Sequence, residues 1–283
     1  TSLNLTLGNP IIPDVSLDRT VTQGDSLFIE GLADTVPSSG VAFWIFGQNF
    51  LVHTTEKVNS DGSFRTELDG VTTIEMSPGI YQVIIQQPME NDRFDIYPKA
   101  DGNYLYRYVV ESGQYANPLF TLDGPGSVES FYAAERIMTT LDDPQYDDKY
   151  TSFWFSVEYP KTVIPDIGVK NVGDKFTITG ETNIAPGNNL LIELYRSSDH
   201  PLKPDEIGGT TGITKVIEGS NNQNHFSFHV DTNSFKSDEY ILTIRDIASV
   251  RSLFFIPFEK SIYNYYIGTT YEYYTDFSFF DVV

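Results

Sequence analysis

Gly24-Asp25-Ser26-Leu27-Phe28-Ile29-Glu30-Gly31 and Gly173-Asp174-Lys175-Phe176-Thr177-Ile178-Thr179-Gly180 are two versions of one octet. Each opens on Gly-Asp, carries Ile at its sixth position and closes on Gly. Leu27 and Ile29, like Phe176 and Ile178, recur at period two, the pattern of a half-buried strand bounded by turn residues. Outward from the octets the correspondence continues at the same offset. Pro37 falls on Pro186, and the apolar run 41–46 falls on 190–195. Loop lengths then differ, and the copies meet again at 64–69 against 226–231. A further match sets Gly79-Ile80-Tyr81-Gln82-Val83-Ile84-Ile85 against Glu239-Tyr240-Ile241-Leu242-Thr243-Ile244, and Tyr150 to Phe155 falls on Tyr274 to Phe279.

Several blocks in one order predict a duplication. The expected fold class is mostly β: two immunoglobulin-like β-sandwich domains related by internal duplication, residues 1–161 and 162–283, joined near Tyr159-Pro160-Lys161-Thr162-Val163-Ile164-Pro165. Asn59-Ser60-Asp61-Gly62 reads as a hairpin turn, because Asp-Gly accepts a positive φ. One amphipathic helix, about 127–142, interrupts the first domain. Ser127 caps it, and Val128, Phe131, Ala134, Ile137, Met138 and Leu141 form a stripe expected to close one end of the sandwich.

Composition narrows the function. With 18 basic and 39 acidic residues the net charge is −21, which repels nucleic acid and anionic lipid. Cysteine is absent, so disulfides and thiolate metal sites are excluded. No run approaches a membrane span, and a first residue of Thr suggests a processed, mature chain. Asn4-Leu5-Thr6 is a sequon, making Asn4 a glycosylation candidate outside the cell.

Three stretches carry a family likeness: residues 127–141 followed by Asp147-Asp148-Lys149-Tyr150 and 153–158; Val172-Gly173-Asp174-Lys175-Phe176-Thr177-Ile178-Thr179-Gly180-Glu181-Thr182-Asn183; and 231–244. They resemble the secreted surface proteins of methanogenic archaea that carry S-layer-related, immunoglobulin-like domains. The resemblance implies a cell-envelope location and an architectural role, with copies of the chain itself as partners and an underlying S-layer as a further one. Many relatives continue into a threonine-rich stalk and an anchoring segment. This sequence runs to Phe279-Phe280-Asp281-Val282-Val283 without either, so the expectation is a protein with no membrane anchor, held in a sheath by its neighbours.

Catalytic chemistry is not visible. No nucleophile elbow, phosphate loop or His-Glu-x-x-His occurs. His225 and His229 lie in a strand pattern, where four residues span about 13 Å and cannot share a zinc. His53 and His200 complete the histidines, read as ordinary surface residues. The chain is therefore expected not to be an enzyme and to need no cofactor. Calcium is the one metal weighed. Asp142, Asp143, Asp147 and Asp148 bracket the helix end, and Glu90-Asn91-Asp92 with Asp95 form a second oxygen-rich loop, against the alternative of a solvated acidic face.

The leading functional reading is a structural protein that self-assembles into an extracellular lattice, sheath or tubular layer. The alternative is a carbohydrate-binding or adhesive module. Trp44 and Trp154, both in apolar or alternating strands, are expected in the core or an interface. The assembly surface is expected at the termini. Leu3, Leu5 and Leu7 alternate in a segment that Gly8-Asn9-Pro10 detaches from the first repeat, and Tyr263, Tyr265, Tyr271 and Tyr273 crowd a stretch without the lysine that blunts edge strands.

Overall fold

A computed structural model describes residues 2–6, 20–48, 50–98, 104–109, 114–121, 130–196, 209–220, 223–247 and 278–282. The chain forms two compact units, Thr1–Glu158 and Tyr159–Val283.

In the first unit β1 (Ser2–Thr6), β2 (Thr20–Thr22), β3 (Leu27–Leu32), β4 (Val41–Gly47), β5 (Phe50–Glu56) and β6 (Ser63–Leu68) precede the short helix α1 (Gly70–Glu75). Then follow β7 (Gly79–Gln87), β8 (Ile96–Pro98), β9 (Tyr104–Val109), β10 (Gln114–Thr121), helix α2 (Ser130–Leu141) and β11 (Lys149–Glu158). One sheet has the order β1-β3-β6 and the other β2-β11-β7-β4-β5. Between them Ile29, Val41, Phe43, Ile45, Phe64, Tyr81, Val83, Ile85 and Phe153 form a core. β1 joins β3 in parallel and does not stand detached from the first repeat.

Sixty-one residues, 88–148, separate β7 from β11 and hold β8, β9, β10 and α2. This insertion packs on the outer face of the larger sheet. Ala133, Ala134, Ile137 and Leu141 of α2 bury Trp44, Phe46 and Ile84 together with Ile96 and Phe120. The helix therefore covers a sheet face instead of closing the end of the sandwich. The outcome is visible along β4, where all seven residues are buried, Val41, Phe43 and Ile45 inward and Trp44 and Phe46 beneath the insertion.

The second unit comprises β12 (Thr162–Val163), β13 (Lys175–Thr182), β14 (Asn189–Arg196), β15 (Gly209–Lys215), β16 (Ile217–Ser220), β17 (Gln223–Asp231), β18 (Asp238–Asp246) and β19 (Ser278–Val282). Its sheets run β12-β13-β17-β16 and β15-β14-β18-β19. In chain order these are the A-B-E-D and C′-C-F-G sheets of an immunoglobulin-like sandwich. β3, β4, β5, β6, β7 and β11 occupy the B, C, C′, E, F and G places in the first unit. Asn183 ties the segment from Tyr159 to Lys161 to the second unit. Its Nδ2 donates to the Tyr159 carbonyl (2.9 Å) and its Oδ1 accepts from Lys161 N (2.7 Å).

Residues matched in sequence hold matched ladder positions. Gly31 faces Phe64 as Gly180 faces Phe226, and Phe43 faces Ile85 as Ile192 faces Ile244. The final strand departs from the sequence match. Phe155 pairs with Tyr81, whereas Tyr240 pairs with Phe280 and not with Phe279, a shift of one residue. Since a one-residue slip exchanges the faces of a strand, the repeated aromatic pattern alone misplaces this pairing.

Both units close the turn between the E and F strands alike. Asp69 Oδ1 accepts from Thr72 N (2.8 Å) and Asp231 Oδ1 from Asn233 N (3.0 Å), capping α1 and a 3₁₀ turn respectively. The hydroxyl of Tyr81 donates to Ser77 O (2.7 Å) and that of Tyr240 to Lys236 O (3.1 Å), the tyrosine corner of such sandwiches. The Gly-Asp openings are turns with Gly24 at φ 92° and Gly173 at φ 95°, a region that disfavours side chains. Asn59-Ser60-Asp61-Gly62 also forms a turn, with Gly62 at φ 86°, but it links β5 to β6 across the two sheets and is not a hairpin.

Candidate functional site

β7 delivers the chain to the insertion and β11 receives it back, so the two stems of the insertion lie side by side where those strands pair, Gln87 opposite Lys149. Asp95 stands just before β8 on the outgoing stem, and Asp147 and Asp148 stand just before β11 on the returning one. One carboxylate oxygen of each lies within 4.8 Å of the others. Asp95 is 0% exposed and Asp148 5%.

Reciprocal backbone bonds fix the pair. Asp95 N donates to Asp148 Oδ2 (2.8 Å), while Asp147 N and Asp148 N donate to Asp95 Oδ2 (both 3.0 Å). Gln86, on the outer face of β7, donates Nε2 to Asp148 Oδ2 (2.6 Å) and accepts Trp44 Nε1 (2.9 Å), linking the carboxylates to the sheet beneath. Asp147 accepts from Glu90 N (2.6 Å), Asn91 N (3.1 Å) and Asn91 Nδ2. Asp95 Oδ1 and Asp148 Oδ1 are buried with no hydrogen-bond partner.

Burial pushes the Asp148 carboxyl up to about 8, with Asp95 and Asp147 adding repulsion against the Gln86 hydrogen bond. Asp95 is also raised, chiefly by burial. The charged groups acting on both are other carboxylates. An all-oxygen cluster of this kind suits a hard divalent cation.

Of the four aspartates singled out in the sequence, only Asp147 and Asp148 meet, and Asp95 joins them from the other loop. Asp142 instead accepts from Tyr150 Oη (3.0 Å), and Asp143 caps its own turn by accepting from Gln145 N (3.1 Å). Asp92, the only non-glycine with positive φ among the described residues, turns away to accept from Ser38 and Ser39. His225 and His229 sit on the exposed face of β17, where His229 Nδ1 meets Thr177 Oγ1 at 2.8 Å. His53 is not an ordinary surface histidine. It lies between Trp44 (4.0 Å) and Tyr97 (5.3 Å), and burial lowers its pKa to about 4. Leu3, Leu5 and Asn4 lie in β1, opposite Ile29, Gly31 and Glu30 of β3. Leu7, His200, Tyr263, Tyr265, Tyr271 and Tyr273 lie outside the described residues, as do Ser127 and Val128 at the helix start.

A second feature separates the two tryptophans. Trp44 is fully buried, but Trp154 is 36% exposed, and Phe131 of α2, itself 41% exposed, rests against it at 5.2 Å. Tyr132, the next residue on α2, is 63% exposed. Trp154 alternates with Phe153 and Phe155, which face the core, so the period-two pattern already puts it on the opposite face. What that face meets is decided by the insertion.

No protein-family model and no curated protein matches the chain. Among solved structures it is similar to a tetra-tandem repeat from the extending region of a large adhesion protein (14% identity, 80% of this chain, 44% of that one, TM-score 0.25). Similar too are the polymeric immunoglobulin receptor ectodomain of a teleost fish (10%, 80% and 88%, 0.24) and a 1.5-MDa bacterial ice-binding adhesin (12%, 82% and 56%, 0.23). The chain thus spans about half the length of the two adhesin structures. With TM-scores this low, the immunoglobulin-like assignment rests on strand order in the two units.

Proposed function

We propose that the chain is a non-catalytic module of an extracellular surface, an adhesive protein that binds carbohydrate through the outer face of its first unit. The observation that carries this reading is the neighbouring pair Phe131 and Trp154, large aromatic side chains each more than a third exposed and both held on ordered elements, a helix and a strand. Flat aromatic faces held on a rigid sheet and helix offer stacking area at low entropic cost, which suits the apolar face of a sugar ring. Two of the three grouped carboxylates, Asp95 and Asp148, are buried between the stems, which favours a structural role over hydrolysis. A glycan array probed with the whole chain and with the Phe131→Ala/Trp154→Ala double variant tests the reading. Selective binding, weakened at least about tenfold in the variant, is expected for loss of an aromatic anchor. An array with no selective signal removes it.

A second reading, self-assembly into a sheath or lattice, is favoured by one observation. Among the described residues β1 and β19 each stand last in the strand order of their sheet, the position from which a strand can pair with another chain. Deleting residues 1–8 leaves a folded protein with lost polymerisation if this edge recruits neighbours. Unchanged polymers after the deletion exclude that edge.

A further inference from the structure

We propose that Asp95, Asp147 and Asp148 form a calcium site that fastens the two stems of the insertion to each other and to the first sandwich. Grouped acidic residues alone do not make a site, since most are solvated. These differ in two respects. Asp95 and Asp148 are 0% and 5% exposed, and in each the Oδ1 atom is buried without a partner while Oδ2 takes two donors. A buried oxygen left unpaired beside two further carboxylates is costly unless a proton or a cation completes its surroundings, and a cation serves all three residues at once. The donors already present orient the carboxylates and leave one oxygen of each buried residue free for a ligand role.

The kind of shell available favours calcium over magnesium. Ligand oxygens lie about 2.4 Å from calcium and are therefore at most about 4.8 Å apart. One oxygen from each of the three residues falls within 4.8 Å of the others. No sulfur ligand is possible in a chain without cysteine. Calcium's larger, less regular shell also tolerates carbonyl and water oxygens in the remaining positions, which a loop junction supplies more readily than an octahedral cage.

The consequence is mechanical. Asp95 lies next to Ile96, which packs with α2 under the insertion, and Asp148 reaches the sheet through Gln86 and Trp44. A cation here couples the outer layer to the sandwich, so removing it loosens the insertion before the core.

The whole chain is stripped with chelator and titrated with calcium by calorimetry and by thermal unfolding. One site per chain is expected, with the midpoint rising by roughly 5–10 °C at a hundredfold excess over Kd. Asp95→Asn and Asp148→Asn should weaken binding at least about tenfold and abolish the rise, while Asp142→Asn and Asp143→Asn should retain both. No binding at millimolar calcium overturns the proposal. So does binding unchanged in Asp95→Asn and Asp148→Asn, or an equal rise with magnesium, since either result marks cations condensed on a surface of net charge −21. If the asparagine variants fail to fold, hydrogen exchange of the wild type decides. Calcium must slow exchange in residues 88–98 and 142–148, and equal exchange with and without it overturns the site.

Discussion

Thr73 and Thr232 each lie in the helical turn between the E and F strands of their unit, and both are fully buried. Thr73 Oγ1 donates to Asp25 O (2.8 Å) and accepts from Gly24 N (3.2 Å), while Thr232 Oγ1 bridges to Asn171 O (2.8 Å) and Asp174 O (3.0 Å). Each hydroxyl thus fastens a Gly-Asp turn to the corner between the E and F strands. Thr→Val keeps the shape but strands buried backbone groups, so each variant should lose roughly 1–3 kcal/mol in urea unfolding, and Thr→Ser should recover much of it. His53 supplies a pH dependence. Its folded pKa, about 4, lies below the unfolded value of 6.5, so the folded state binds fewer protons between those values. The associated stability is full above pH 6.5 and is lost as the pH falls towards 4, by roughly 3 kcal/mol in all. Urea midpoints of wild type and His53→Phe, compared at pH 7 and 4.5, should differ in slope by most of that amount. Parallel pH profiles would show His53 to be uncoupled.

At the level of elements, β4 and β14 show what could be read in the sequence. Their ladder partners correspond residue for residue, and the Gly-punctuated, period-two pattern of the octets located the strands that precede them, β3 and β13, because that signal is local. β14 alternates between buried and half-buried, whereas β4 is buried throughout. The difference comes from α2, whose amphipathic stripe indicates that one face is covered without indicating by what. The same limit applies to the carboxylates. Asp147 and Asp148 were legible as an acidic pair, but their partner Asp95 lies 52 and 53 residues away and is brought in only by the closing of the insertion stems. Gly180, the last residue of the octet, shows why that position lacks a side chain. A Cβ there would lie 2.4 Å from the Phe226 ring and 3.0 Å from Val163 O. Gly180→Ala should therefore displace β12 or Phe226 and cost about 1–3 kcal/mol, measurable by urea unfolding of the whole chain.

For the whole molecule, the net charge of −21 opposes contact between copies, so any pairing through β1 or β19 should strengthen with ionic strength. Light scattering that rises from low to physiological salt is expected if edges associate, and scattering highest at low salt would contradict edge pairing. The architecture rests on an insertion that seals one face of the first sheet over Trp44 and leaves Trp154 at its margin. These are the only tryptophans in the chain, at 0% and 36% exposure. Acrylamide, an uncharged quencher unaffected by the acidic surface, reports on them separately once Trp154 is replaced by Phe. The remaining emission of Trp44 should be blue-shifted and nearly unquenched, with the quenchable fraction of the wild type lost. Emission in Trp154→Phe that is red-shifted and quenched like free tryptophan would mean that the insertion does not cover the sheet.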